Sequence, residues 1–184
     1  MTARLFICLL LACALPCQAA PQKLQVEVKR VAADDQHVYQ VSSSGMVQAP
    51  PATVWKILTD YERMPEFVPD MQSSKVLSRS GNRVIVEQFG TARFLFIRRD
   101  IHLIVLASEQ PSTSIEITLV TGDMKVYECH WEIAPVPETG GTRISYSGSM
   151  VPKFYVPGFL GANIIRSDIE RMMTAVLERL DRPE

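Results

Sequence analysis

The densest polar cluster inside an otherwise apolar stretch of this chain is Arg98, Arg99, Asp100 and His102. In an extended strand alternate residues share a face, so Arg98, Asp100 and His102 point together to water. Arg99 then joins Leu95, Ile97, Ile101 and Leu103 on the apolar side. A guanidinium indoors must be paired, because an uncompensated buried charge costs several kcal/mol. The expected partner is either a protein carboxylate, with Glu87, Glu116 or Glu128 as candidates, or the acidic head group of a ligand. A bulge in the strand would reverse this parity.

A second group is aromatic and sulfur-rich. Tyr127, Cys129, Trp131 and Ile133 alternate with Glu128, His130 and Glu132, and Ile144, Tyr146, Gly148 and Met150 alternate with Ser145, Ser147 and Ser149. Tyr127, Trp131, Tyr146 and Met150 therefore share an inner face with Ile165, Ile169, Met172 and Met173 of a later helical stripe. Such a set either fills a core or lines a pocket that adapts to apolar shapes, with tyrosine hydroxyls to orient the polar end of a guest. Phe67, Phe154, Tyr155 and Phe159 lie beside proline-punctuated bends and are candidates for the rim of an entrance.

Other chemistries find little purchase. His37, His102 and His130 fall on separate strands with none of the short spacings of metal sites, and His130, flanked by Glu128 and Glu132, reads as a solvated residue. No Gly-x-Ser-x-Gly elbow frames a serine, and no glycine-rich phosphate loop follows a strand. Cys129, buried by alternation, reads as a small apolar side chain rather than a reactive thiol. No catalytic residue, metal or cofactor is expected.

The elements that must position these residues follow from length and pattern. With 184 residues, 19 Lys and Arg against 20 Asp and Glu, and a formal net charge of -1, the chain suits one domain and advertises no nucleic-acid surface. Residues 1–19 read as an export signal. Arg4 supplies the positive charge, Leu5 to Leu15 the apolar run, and Cys17-Gln18-Ala19 the small residues before a cut after Ala19. Residues 20–184 form the single expected domain, placed in the periplasm or outside the cell. A rival reading takes Leu10-Leu11-Ala12-Cys13 as a lipoprotein box with Cys13 lipidated. Of the 4 Cys, Cys8, Cys13 and Cys17 leave with the signal, so Cys129 has no disulfide partner.

Alternation predicts strands over Leu24–Val28 and His37–Val47, with a turn at Ala33-Asp34-Asp35-Gln36. Pro50-Pro51 opens a short helix carrying Val54, Leu58 and Tyr61, and Pro65 and Pro69 limit the next segment to about one further turn. Six extended segments come next: Ser73–Ser78, Arg83–Phe89, Phe94–Leu106, Ser114–Val120, Lys125–Ile133 and Thr142–Met150. Pro157 to about Leu180 reads as a helix of ~36 Å, with Ala162, Ile165, Ile169, Met172, Met173, Val176 and Leu180 on one stripe. Arg166, Glu170 and Arg171 turn away from the centre of that stripe. The whole is an α+β chain in which a curved sheet covers one long helix.

That order is similar to the helix-grip fold. Val54 to Arg79 (VWKILTDYERMPEFVPDMQSSKVLSR) resembles the N-terminal motif of the polyketide cyclase/dehydrase and coenzyme Q-binding proteins of the StAR-related lipid-transfer superfamily. FLFIRRDIHL (Phe94–Leu103), GDMKVYECHW (Gly122–Trp131) and VPKFYVPGFL (Val151–Leu160) are similar to its other landmarks. The resemblance implies a curved antiparallel sheet of about seven strands wrapped around the C-terminal helix, with two short helices after the first long strand. It also implies a cavity between sheet and helix for lipids, isoprenoids or sterols, which the fold alone does not specify further.

The expectation is an exported, non-enzymatic binder or carrier of a hydrophobic small molecule or lipid. Transient membrane contact is open to it. The expected ligand contacts are Arg99, Tyr127, Trp131, Tyr146, Met150, Ile165, Ile169 and Met172. The alternative is a cyclase or dehydratase acting on a polyketide-like or isoprenoid substrate, with Arg99, Tyr127 or Tyr146 polarising a carbonyl.

Overall fold

Two prolines divide the chain into its structural halves. Before Pro50, β1 (Gln25–Ala33) and β2 (Gln36–Val47) form an antiparallel hairpin, and Tyr39, Val41, Ser43, Gly45 and Val47 alternate inward along β2. After it, α1 (Pro51–Leu58) starts on Pro51, where a missing N–H costs nothing, and buries Val54 and Leu58 one turn apart. A 3-10 turn at Tyr61–Glu66, with Pro65 inside it, completes a two-part helix. The computed structural model describes residues 24–33, 36–94, 97–156, 158 and 160–182. The expected export signal, Cys13, the Asp34-Asp35 turn and Phe159 lie outside them.

A meander comes next: β3 (Met71–Ser80), β4 (Arg83–Phe94), β5 (Ile97–Gln110), β6 (Ser114–Gly122), β7 (Met124–Val136) and β8 (Gly141–Pro152). All pairings are antiparallel and the sheet order is β1-β2-β8-β7-β6-β5-β4-β3, so β1 and β3 are its edges. Register shifts in β3, between β5 and β6 and between β7 and β8 mark bulges, which bend strands this long. Helix α2 (Gly161–Asp181) packs on β1, β2 and α1 and buries Ile165, Ile169, Met173, Val176 and Leu180. This is the expected helix-grip arrangement, an eight-stranded sheet around the C-terminal helix.

Three boundaries differ from the sequence reading. The sheet has eight strands, the number of extended segments in the alternation and one more than the resemblance implies, and β1 extends beyond Val28 and pairs with β2 along its whole length. Phe94 closes β4 rather than opening the next strand, since Ala92, Arg93 and Phe94 remain paired with Arg99, Arg98 and Ile97. Helix α2 begins at Gly161, not Pro157. Gly158 inside a helix would cost about 1 kcal/mol relative to Ala. Gly161 gives the helix a docking point, because a Cβ there would overlap the Tyr39 hydroxyl.

Candidate functional site

The inner face of the sheet does not pack solidly against α2. A cavity of about 240 Å³ opens to solvent between the loop before β3, the middle of β4 and the N-terminal half of α2. Its lining includes Val68–Met71, Gln88–Ala92, Ile101, Leu103, Tyr127, Tyr146, Met150, Asp168, Ile169, Arg171 and Met172. A second, more enclosed lobe of about 70 Å³ lies toward α1 and the 3-10 turn, walled by Leu58, Tyr61, Met64, Phe67, Val105, Trp131 and Val176 among others. Val68, Met71, Gln88, Tyr127, Tyr146 and Met172 border both lobes and form a waist between them. Most of this wall is hydrocarbon, aromatic ring or thioether, the composition of a site for an apolar guest.

Two tyrosines of the waist, Tyr127 and Tyr146, meet the thiol of Cys129, which is buried behind the wall and borders neither lobe. Cys129 Sγ lies 3.0 Å from the Tyr146 hydroxyl, and Tyr127 is near enough to both to shift their titration. Burial pushes the Cys129 thiol up to about 11, so it stays protonated at neutral pH. The Cys129 sulfur first, and burial second, raise Tyr127 well above its ordinary value. Burial first, with both neighbours adding, does the same to Tyr146. All three side chains are neutral donors and acceptors. Gly148 stands opposite Cys129 on β8, and a Cβ there would lie 3.1 Å from Sγ and overlap the Glu128 carbonyl oxygen. The glycine makes the room in which the three groups converge. Trp131 packs beside them, its ring 4.8 Å from that of Tyr146 at 54°.

The mouth carries charge of both signs. Arg171 of α2 contacts Asp70 at 2.7 Å and Asp168 at 2.9 Å, and Arg93 of β4 contacts Asp70 at 2.6 Å. Burial raises the Asp168 carboxyl above its ordinary value, partly offset by Arg171. Asp70 holds its position through backbone geometry. Its φ of 62° is a left-handed conformation that Asp tolerates, and its carbonyl accepts from Thr91 N–H at 2.9 Å. Gly90 permits that approach, since a Cβ there would lie 2.9 Å from the Asp70 carbonyl oxygen.

Of the expected ligand residues, Tyr127, Tyr146, Met150, Ile169 and Met172 border the outer lobe and Trp131 the inner one. Ile165 is buried against the sheet without lining either lobe, so it belongs to the packed part of the helix stripe. Arg99 is a correction. Leu103, Val105 and Ala107 do face inward from odd positions, but Arg99 lies near the start of β5, before the strand enters the core. That side chain is exposed, with its guanidinium 4.7 Å above the Phe154 ring. The proposed carboxylates are engaged elsewhere or exposed: Glu87 with His102, Glu116 with His130, and Glu128 in solvent. Phe67 lines the inner lobe instead of an entrance, while Phe154 and the 85% exposed Tyr155 lie away from both lobes.

Asp70, Gln88, Asp168 and Arg171 escaped the sequence reading. The signal available for two of them was the Asp168–Arg171 spacing of three on α2, which puts opposite charges on one helix flank. Nothing in one dimension places Asp70 or Gln88 beside them.

The sequence profile of the family described as polyketide cyclase / dehydrase and lipid transport matches residues 47–177. No curated protein matches the chain in sequence. Among solved structures, a START superfamily protein from Mycobacterium smegmatis aligns with TM-score 0.66 at 19% identity, over 77% of this chain and 97% of its own. The Zhui aromatase/cyclase from Streptomyces sp. R1128 aligns with TM-score 0.66 at 15% identity, over 79% and 95%. A STAR-related lipid transfer protein (fragment 25–204) from Xanthomonas axonopodis aligns with TM-score 0.62 at 14% identity, over 84% and 99%. At these identities the likeness is one of fold.

Proposed function

The chain belongs to the polyketide cyclase / dehydrase and lipid transport family, and we propose that it is an exported, non-enzymatic binder or carrier of a hydrophobic small molecule or lipid. The observation that carries this reading is the two-lobed, largely apolar cavity under α2, whose buried polar groups at the waist are neutral. Removing ~200 Å² of guest surface from water at ~25 cal/mol per Å² supplies about 5 kcal/mol before the costs of association. The N-terminal segment, with Arg4 ahead of Leu5–Leu15, supports export through a cleaved signal ending near Ala19. Acylation at Cys13 is the other outcome.

The cyclase or dehydratase alternative loses Arg99, which is exposed, and keeps Tyr127 and Tyr146 in the cavity wall as the groups that could polarise a carbonyl.

Two measurements test the proposal. Expression of the full chain in an exporting host, followed by intact-mass analysis, is expected to give a mature N-terminus at Ala20 and no acyl adduct. Solvent extraction and mass spectrometry of the same protein is expected to identify a bound apolar molecule, and titrating it back is expected to change the fluorescence of Trp131 in the inner lobe. A protein that emerges empty and binds no member of a broad lipid panel overturns the carrier reading.

A further inference from the structure

The waist and the mouth together constrain what the cavity accepts. The inner lobe has no charged side chain in its wall, and the charged residues lining the outer lobe are Asp70, Asp168 and Arg171. Arg171 and Arg93 are already committed to the two carboxylates, so this group of two acids and two bases presents no surplus charge to a guest. Past this mouth, in the inner lobe, an anion would meet only neutral groups and a cation no carboxylate in the wall. An uncharged polar group has somewhere to go. Tyr127 and Tyr146 border the constriction, the Tyr146 hydroxyl hydrogen-bonds Cys129 Sγ in the wall behind it, and Gln88 adds an amide at the same place.

The sulfur is the weak member of the Cys129–Tyr146 pair, as both a poor donor and a poor acceptor. We infer that the cavity selects an uncharged amphiphile whose single carbonyl or hydroxyl seats at the waist beside Tyr127, with the Tyr146 hydroxyl turning from the Cys129 sulfur to the guest's oxygen. The exchange keeps every buried hydroxyl bonded and replaces O–H···S by the stronger O–H···O. Cys129 acts as the acceptor that holds the Tyr146 hydroxyl in place when no guest is present. The inference rests on the carrier reading and narrows it to neutral molecules with an oxygen acceptor.

Calorimetry with three probes of one shape tests it: 2-acetylnaphthalene, 2-ethylnaphthalene and 2-naphthoate. The wild-type chain is expected to bind the first two and to bind naphthoate at least tenfold more weakly than the ketone. Tyr127→Phe combined with Tyr146→Phe is expected to weaken the ketone about fivefold while leaving the ethyl compound unchanged. Cys129→Ser supplies a better internal acceptor and is expected to weaken the ketone alone, whereas Cys129→Ala is expected to leave it as tight or tighter. On the wild-type protein, which needs no variant to fold, the ketone's C=O stretch is expected to shift down on binding. Parallel shifts for ketone and ethyl probe in every variant, an unshifted C=O stretch, or naphthoate binding as tightly as the ketone overturns the selectivity while leaving the carrier reading standing. If none of the three probes binds, the selectivity falls, and the carrier reading is decided separately by the extraction and the lipid panel.

Discussion

Arg171 and Asp70, 101 residues apart in the chain, meet at 2.7 Å across the opening of the cavity and tie α2 to the loop that leads into β3. Asp70 is mostly buried at 15% side-chain exposure and also holds Arg93 of β4, so one carboxylate joins the helix, the loop and the sheet. The guest has to pass this junction.

Breaking it is expected to change exchange more than stability. Arg171 is 44% exposed, and pairs of that kind contribute about 0–1 kcal/mol. Arg171→Met is therefore expected to lower unfolding free energy by less than about 1 kcal/mol in urea titrations. Stopped-flow release of bound 2-acetylnaphthalene is expected to speed up severalfold. Unchanged release would remove the mouth assignment.

Neighbouring methionines of α2 have different duties. Met173 is fully buried in the core, whereas half-buried Met172 borders both lobes. Met173→Ala is expected to cost about 3 kcal/mol through the void it leaves in close-packed surroundings. Met172→Ala only widens an existing hollow and is expected to cost about 1 kcal/mol, with a shift toward bulkier guests. Equal losses in denaturant titrations would mean that the cavity is closed in solution.

Alkaline pH is expected to destabilise the fold, and the sign follows from proton counting. The unfolded thiol of Cys129 ionises near its ordinary 9.0, while the native one holds its proton to about 11. Between those values the unfolded state binds fewer protons, so stability is fully present below pH 9 and falls as pH rises toward 11. The loss from this group is on the order of 2 kcal/mol. Tyr127 and Tyr146, also raised, deepen the fall at the upper end. Urea midpoints measured from pH 8 to 11 check the slope, and Cys129→Ala is expected to flatten its first part.

Two glycines of the inner face are expected to respond unequally to an added methyl. At Gly45 the new Cβ would lie 2.5 Å from the end of the Leu177 side chain, which can rotate away, so Gly45→Ala is expected to cost no more than about 1 kcal/mol. At Gly148 the obstacle is the Glu128 backbone carbonyl together with Cys129 Sγ. Gly148→Ala has to shift the β7–β8 pairing and is expected to cost about 3 kcal/mol, read as a thermal midpoint lower than that of Gly45→Ala.

Much of the architecture was legible because it is periodic. The two-residue alternation of Tyr127 to Ile133 and Ile144 to Met150, and the helical stripe from Ile165 to Leu180, correspond to β7, β8 and the buried face of α2. The burial of Cys129 followed from the same alternation. Failures came where local pattern carries no information about where the core ends. Arg99 has inward parity yet lies beyond the reach of the covering helix, and Arg171, on the helix flank, leans over an opening whose other lip is the loop carrying Asp70.

Side-chain periodicity alone therefore determined an antiparallel sheet clasped on a C-terminal helix, with an aromatic and methionine-rich inner face, because one-sided burial dictates apolar spacing along each element. Only the tertiary structure decided that this face is hollow. A void, its waist with two tyrosines backed by a thiol, and its charged mouth are sums over β4, β7, β8, α2 and the loop before β3. How far those elements stand apart depends on bulges and on close approaches at Gly90, Gly148 and Gly161, which the order of residues does not encode element by element.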